Sequence, residues 1–345
     1  MRWSGQEISN EAGDPAALPG LDQLHHLVRS VRTPEFAGIT FHEVLAKSAL
    51  NRVPKAAALP FNWTVNPYRG CSHGCVYCFA RHTHTYLDLD AGDDFDRQII
   101  VKINIGSVLA RELRRPSWTH EPVALGTNTD PYQRAEGRYR LMPGIIAALA
   151  GSGTPFSILT KGTTARRDLP LLSVASKAVP ISMGVSIALT DETIHAALEP
   201  GTPTPRARLE LVRAIVDAGL PCQVLVAPIL PMITASDEQL DTTLGEVAAA
   251  GATGATVFAL HLRPGAREWF MRYLFRYQPQ LVDAYAELYR KGSYVTRSYS
   301  SDLARRSSVL LRKHGLDRKD TMLRIPDSRE AAIPPHLALT EPSLF

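Results

Sequence analysis

The stretch NPYRGCSHGCVYCFAR, residues 66–81, holds three of the four cysteines of the chain. Cys71 and Cys75 have three residues between them, and Cys75 and Cys78 have two. Thiols grouped this closely indicate metal or redox chemistry more than a disulfide framework. Three kinds of site fit the spacing: a redox dithiol with a third thiol beside it, a structural zinc site, or an iron–sulfur cluster.

The zinc and redox alternatives lack part of their usual pattern. A structural zinc site needs four ligands, commonly from paired Cys-x-x-Cys motifs, and no second pair is present. The fourth ligand would have to come from a nearby histidine or from the remaining cysteine: His73, His82, His84 or Cys222. A redox pair would use Cys75 and Cys78, but the elements predicted around them do not follow the thioredoxin order.

The iron–sulfur alternative explains why the cluster contains three cysteines rather than four. A 4Fe–4S cluster needs one ligand on each iron, and cysteine thiolates normally supply all four. Three cysteines leave one iron open to a small molecule. With a predicted strand before it and the aromatic Tyr77 directly before the last cysteine, the motif resembles the signature of the radical SAM superfamily. Three further stretches resemble its spore photoproduct lyase branch: GTNTDPYQ (126–133), LTKG (159–162) and VSIALTDE (185–192).

The resemblance covers residues 60–265, and the pattern of elements there agrees with it. Short β-rich runs alternate with helical segments; the runs are 63–66, 123–126, 156–160, 183–189, 223–227 and 256–260. Continuous apolar strands alternating with helices predict a parallel sheet covered by helices. We therefore expect an α/β fold whose core, residues 59–265, is a partial (βα)6 barrel of the TIM type with its site at the carboxyl ends of the strands.

The flanking regions complete the predicted domain organisation. Residues 1–58 form an N-terminal extension with a short helix expected at 41–51, and residues 266–345 form a helical C-terminal region. Within the barrel, Thr204 and Pro205 predict a helix start, and Ser236 with Gln239 spells a capping box.

Composition sets limits on location and partners. Apolar residues make up 45% of the 345-residue chain, and the net charge is +4. The first residues have no signal-peptide pattern, and the longest apolar run, 224–233, is shorter than the roughly 20 residues of a membrane span. We expect a cytoplasmic protein with no membrane contact.

The resemblance implies a mechanism and a set of site residues. The three cysteines would hold a 4Fe–4S cluster, and S-adenosylmethionine (SAM) would chelate the open iron. An electron from a donor such as flavodoxin or ferredoxin would then cleave SAM to a 5′-deoxyadenosyl radical, which abstracts hydrogen from a substrate. The implied SAM contacts are Tyr77 and the backbone near Phe79 at the adenine, Asn128 or Thr129 at the amino group, and Lys161, Ser186 and Arg208 at the carboxylate.

The substrate stays open at the level of sequence. Photoproduct lyases use a further cysteine near the substrate, and Cys222 does not match its position. A nucleic-acid substrate is nevertheless an alternative, because a helix predicted within 301–320 carries a basic face that could neutralise phosphates. That face consists of Arg305, Arg306, Arg312 and Lys313. A non-enzymatic zinc-binding module is the remaining alternative.

Overall fold

The computed structural model describes residues 26–54 and 61–318, together with the backbone of a two-residue strand at 8–9. The strands, in chain order, are β1 (Ile8–Ser9), β2 (Leu27–Arg32), β3 (Thr40–Val44), β4 (Leu50–Arg52), β5 (Trp63–Val65), β6 (Tyr68–Arg69), β7 (Gln98–Lys102), β8 (Val123–Leu125), β9 (Phe156–Thr160), β10 (Ile181–Ser186), β11 (Cys222–Ile229) and β12 (Gly254–Ala259). They form a seven-stranded and a five-stranded sheet.

The α-helices lie between and after these strands. They are α1 (Asp93–Arg97), α2 (Ile105–Leu113), α3 (Ala135–Tyr139), α4 (Met142–Gly151), α5 (Leu169–Ala175), α6 (Glu192–Leu198), α7 (Pro205–Asp217), α8 (Asp237–Ala249), α9 (Ala266–Tyr277), α10 (Val282–Leu288) and α11 (Arg297–Lys313). Shorter 3-10 helices cover Pro34–Phe36, Phe79–Leu87, Thr163–Asp168 and Pro279–Leu281. No helix among the described residues is long and apolar enough to cross a membrane.

The seven-stranded sheet is the predicted partial barrel. Its order is β12-β11-β10-β9-β8-β5-β4, and all neighbouring pairs from β5 to β12 are parallel. Each of the six predicted runs coincides with one of these parallel strands. The added strand β4 pairs antiparallel with β5 and forms one edge of the sheet.

Local start signals in the barrel helices are confirmed. The Thr204 side chain accepts a hydrogen bond from the backbone N–H of Ala207, and Pro205 opens α7. Ser236 and Gln239 form both hydrogen bonds of the capping box at the start of α8. These contacts satisfy backbone donors that a helix start leaves without partners.

The helix expected at 41–51 is wrong. Residues 40–44 form the buried strand β3, which pairs antiparallel with β2 and parallel with β7. A strand at this position gains backbone partners on both sides, and this outweighs a weak helical propensity. The resulting five-stranded sheet, of order β1-β2-β3-β7-β6, joins the extension to two strands from inside the barrel region, β6 and β7. The proposed domain boundaries stay predictions, and residues 55–60 lie outside the described part.

The C-terminal region is helical through residue 313, as expected, and residues 319–345 lie outside the described part. Helix α11 begins at Arg297 with a Thr296 cap rather than at 301. Its predicted basic face is largely neutralised by ion pairs: Arg305 with Asp302, Arg306 with Asp237 and Asp302, and Lys313 with Asp241. Just beyond α11, the carbonyl of Leu316 accepts a hydrogen bond from Ala255 of β12 at 3.0 Å.

Candidate active site

The cysteine loop follows β5 and β6 at the carboxyl end of the barrel. Several backbone contacts fix its path. The N–H of Cys71 donates to the carbonyl of Phe95 at 3.0 Å, and that of Val76 donates to Leu198 at 3.0 Å. Gly74 has φ +61°, a left-handed conformation that glycine adopts without strain. These contacts therefore define the path of the loop.

Two polar side chains beyond β8 hold the start of this loop. The Thr129 hydroxyl donates to the carbonyl of Gly70 at 2.7 Å. The Gln133 amide donates to the same carbonyl at 3.0 Å and accepts from the N–H of Ser72 at 2.9 Å. Because all of these groups are buried, the contacts satisfy backbone atoms that water cannot reach.

A buried arginine holds the end of the loop. Arg81 is 0% exposed and donates to the carbonyl of Cys75 at 3.0 Å. Its guanidinium pairs with Asp96 of α1 at 2.9 Å and lies 4.8 Å from the ring centre of Trp269 in α9. Arg81 therefore links the cysteine loop to two helices.

The three thiols of the loop are unbonded and largely withdrawn from water. Burial raises the pKa of each; Asp130 and then Cys78 add to the rise at Cys71, and Glu199 adds to the rise at Cys75. Thiols in this state are protonated, and binding a metal releases their protons.

The arrangement of the three thiols is compatible with a 4Fe–4S cluster. Among the described residues, no group of three or more His, Cys, Asp or Glu side chains is placed to hold one metal ion. A 4Fe–4S cluster does not need such convergence, because each cysteine binds a different iron. Two buried thiols and the half-buried Cys78, close enough for their charges to interact and on a loop fixed by its neighbours, are suitable ligands for it.

Beside the loop, a fully buried carboxylate collects side chains from distant parts of the sequence. Glu199, directly after α6, accepts hydrogen bonds from Lys161 at 3.0 Å and from Arg208 at 2.6 Å. It also accepts a hydrogen bond from the Tyr77 hydroxyl. Lys161 in turn donates to the hydroxyl of Ser186, at the end of β10, at 2.8 Å.

The charges of this cluster set its protonation states. Burial alone would raise the pKa of Glu199, but Arg208, Lys161 and the Tyr77 hydrogen bond lower it below the usual range. Burial and the Glu199 charge raise the pKa of Tyr77 well above its usual value. At neutral pH Glu199 is therefore charged and Tyr77 is neutral, so two cations and one anion leave one net positive charge.

The sequence-predicted SAM contacts divide into two sets. Tyr77, Lys161, Ser186 and Arg208 are brought together around Glu199. The other three are outside this network: Phe79 lies 5.3 Å from the Arg263 guanidinium and is 39% exposed, Asn128 is exposed after β8, and Thr129 binds Gly70. Their roles toward SAM stay predictions.

The main residues that sequence reasoning missed are Glu199, Gln133 and Arg81. Glu199 lies in an ordinary helix-to-turn connection, and no local motif marks it. One indirect signal was available: a lysine and an arginine predicted to share a buried site require a carboxylate nearby.

A partial parallel barrel with three cysteines after its first barrel strand, and a lysine and a serine at the ends of later strands, defines the class of protein. Residues 65–246 match the Radical SAM superfamily, and the chain belongs to that family. Membership implies an enzyme that uses SAM and a 4Fe–4S cluster.

The chain also resembles individual proteins in sequence or in structure. The chain is 59% identical to an uncharacterized protein of Mycobacterium tuberculosis, across 97% of this chain and 98% of that protein. It is 22% identical to an uncharacterized protein of Methanocaldococcus jannaschii, across 55% of this chain. A solved structure of spore photoproduct lyase complexed with dinucleoside spore photoproduct has a TM-score of 0.60 and 14% identity, covering 79% of each chain. A variant of that lyase with bound AdoMet has a TM-score of 0.59. These likenesses show a shared fold.

Proposed function

We propose that this radical SAM enzyme holds its cluster on Cys71, Cys75 and Cys78 and binds the carboxylate of SAM at Lys161 and Ser186. With both groups bound, reductive cleavage of SAM supplies a 5′-deoxyadenosyl radical for hydrogen abstraction from a substrate. The observation that carries this proposal is the contact between Lys161 and Ser186 at 2.8 Å, next to Tyr77 of the cysteine loop.

The side chains have distinct roles in this proposal. The Lys161 ammonium supplies charge, and the Ser186 hydroxyl supplies a second donor for the same carboxylate, giving charge-assisted hydrogen bonds. Tyr77, inside the cysteine motif and 5% exposed, would offer its aromatic ring to the adenine of SAM and keep water from that side. The electron donor is proposed to be a small redox protein such as flavodoxin or ferredoxin.

The proposal is tested on protein purified without oxygen. Iron, sulfide and zinc are measured per chain, and 5′-deoxyadenosine is measured after addition of SAM and dithionite. We expect iron and sulfide together, and a product that disappears in Cys75→Ala. Cys222→Ala is the matched control, since Cys222 is fully buried at the start of β11, the opposite end of the barrel strand. About one zinc per chain without sulfide would contradict the proposal and favour a zinc-binding module.

The contacts of the histidines do not decide against the zinc alternative. His73 lies 3.5 Å from Asp130, His82 contacts the carbonyl of Phe79, and His84 contacts the carbonyl of Gln98. Zinc-binding histidines usually have such a partner on their other ring nitrogen, so the metal and sulfide content decides between zinc and a cluster.

A nucleic-acid substrate is the second candidate. It is favoured by the shared fold with a lyase whose solved structure contains a dinucleoside photoproduct. The position of Cys222 disfavours the same repair chemistry, and the ion pairs of α11 disfavour that helix as the phosphate-binding face. Binding of labelled DNA oligonucleotides at low and high salt tests this candidate: affinity that falls steeply with salt supports it, and absent or salt-independent binding removes it.

A further inference from the structure

Glu199 has no ligand role in the proposed function, yet four side chains of the site donate hydrogen bonds to it. It is 0% exposed. Besides Lys161, Arg208 and Tyr77, it accepts a hydrogen bond from the Thr202 hydroxyl at 3.3 Å. Both carboxylate oxygens are therefore engaged by fixed donors, as in a structural carboxylate rather than one that swings away to admit a ligand.

Arg208 is also held by the protein, through both terminal nitrogens, while its buried Nε has no hydrogen-bond partner among the described residues. It is 0% exposed, and one terminal nitrogen donates to Glu199 while the other donates to the carbonyl of Ser186 at 2.8 Å. Its charge is matched by that of Glu199, and its terminal nitrogens both face the protein. Arg208 is thus poorly placed to contact SAM directly, in contrast to the role implied by the family resemblance.

Lys161 differs from Arg208 in one respect that matters for ligand binding. Its side chain keeps 14% of its surface exposed, whereas the side chains of Glu199 and Arg208 keep none. The ammonium touches Glu199 on one side and the Ser186 hydroxyl on the other. It is therefore the cation of this cluster that a bound molecule can reach.

We propose that Glu199 and Arg208 are a buried pair of positioning residues for the carboxylate subsite. The pair cancels its own charge, fixes the Lys161 ammonium and the Tyr77 hydroxyl, and leaves a single positive charge facing the ligand. The pair thereby makes the site bind SAM more tightly than decarboxylated SAM, which lacks the carboxylate. This inference rests on the proposed function.

Changing Glu199 alone mixes two effects. Glu199→Gln loosens Lys161, but it also leaves Arg208 as an unpaired buried cation, which is strongly destabilising. The double variant Glu199→Gln with Arg208→Met removes both charges, and such replacements of buried pairs by apolar groups are often neutral for stability. It still deprives Lys161 of its anionic partner.

The experiment measures binding rather than turnover. Cluster-reconstituted wild type and the double variant are titrated calorimetrically with SAM and with decarboxylated SAM, without reductant. We expect the double variant to bind SAM about tenfold or more weakly, as for loss of a well-placed charged hydrogen bond. Binding of decarboxylated SAM should change much less, so the preference between the two ligands narrows.

Glu136→Gln is the matched control. Glu136 is equally buried and accepts hydrogen bonds from Tyr68 at 2.5 Å and from Arg167 at 2.7 Å, but it does not belong to the Glu199 network. It should lower the unfolding temperature and leave the ligand preference intact. If the double variant fails to fold, Glu199→Asp, which shortens the reach of the carboxylate, is compared in the same way.

Each outcome decides one point. Equal weakening of both ligands, or unchanged or tighter SAM binding in the variant, overturns the positioning role. Wild-type protein that contains the cluster but binds neither ligand overturns the proposed function itself. If the difference in affinity between SAM and decarboxylated SAM becomes smaller in the Glu199 variants and not in Glu136→Gln, the result supports the positioning pair.

Discussion

Gly201 shows how closely the chain approaches the cysteine loop from the side of the α6–α7 connection. A β-carbon built on Gly201 would lie 2.2 Å from the carbonyl oxygen of Ser72. The N–H of Gly201 donates to the carbonyl of His73 at 2.9 Å. Backbone therefore lies directly on backbone here, and a side chain at position 201 must displace the loop that carries the cysteines.

We expect Gly201→Ala to lower the iron content of the purified protein, because a displaced loop misaligns Cys71 and Cys75. Iron and sulfide per chain provide the measurement. Gly137→Ala is the control: its β-carbon meets nothing within 4 Å in α3, and alanine is favoured over glycine in a helix by about 1 kcal/mol. Equal iron content in the two variants would contradict this explanation.

At the residue scale, the sequence revealed the groups that belong to a motif and missed those that support them. The cysteines, Lys161 and Ser186 carry a recognisable spelling or follow a predicted strand. Glu199 and Gln133 reach the site only through tertiary packing. Their neighbours in sequence contain no sign of a buried ion pair or of a backbone carbonyl that needs a donor.

At the scale of elements, the helix caps are strong enough to be read from local sequence. The Ser236 hydroxyl accepts from the N–H of Gln239 at 3.1 Å at the start of α8. We expect Ser236→Ala to reduce the free energy of unfolding by about 1 kcal/mol, since one backbone donor loses its partner. Urea unfolding measures the change. Ser308→Ala, in the exposed middle of α11, should change stability by less than about 0.5 kcal/mol.

Helix caps are local contacts, whereas Arg81 links elements that are far apart in sequence. Replacing it with glutamine leaves Asp96 partly buried without its partner and releases the cysteine loop from α9. We expect a loss of about 3–5 kcal/mol, typical of breaking a buried ion pair. Urea unfolding of the metal-free protein measures it. Arg305→Gln, which breaks an exposed pair with Asp302, should have no measurable effect, and similar losses in the two variants would refute the assignment.

Strand β3 illustrates why some elements escape local prediction. All five residues of Thr40–Val44 are buried. The strand therefore lacks the regular alternation of apolar and polar residues that marks a half-exposed strand in a sequence. The strand is stabilised by pairing with β7, which lies more than fifty residues further along the chain. The parallel strands of the barrel were easier to predict, because their apolar runs repeat and helices with clear ends separate them.

At the scale of the whole molecule, several buried or half-buried imidazoles make stability depend on pH. Burial is the largest cause that lowers the pKa in five cases: His42, His73, His84, His195 and His261. The folded protein keeps these rings neutral, whereas the unfolded chain protonates them near pH 6.5. Below that pH the unfolded state binds more protons, so the free energy of unfolding falls as the pH falls.

We therefore expect the metal-free protein to lose stability steadily between about pH 7.5 and about pH 5.5. His42→Gln should reduce this slope, because His42 is one of the contributing rings and contacts Gln98 at 2.9 Å. Urea unfolding at a series of pH values gives both slopes. A flat profile for wild type, or identical slopes, would show that these rings do not control acid stability.

The contact between Leu316 and β12 affects the tendency of the protein to self-associate. β12 is the last strand of an open sheet, and an open strand edge invites pairing with another chain. The Leu316 carbonyl, at 3.0 Å from the Ala255 N–H, covers one backbone donor of that edge, and Leu316 itself is buried. A chain shortened to end at Lys313 would keep every residue of the barrel and of α11, yet it would uncover this donor. Such a chain should self-associate more readily than the full-length protein, with no loss of the residues proposed to hold the cluster.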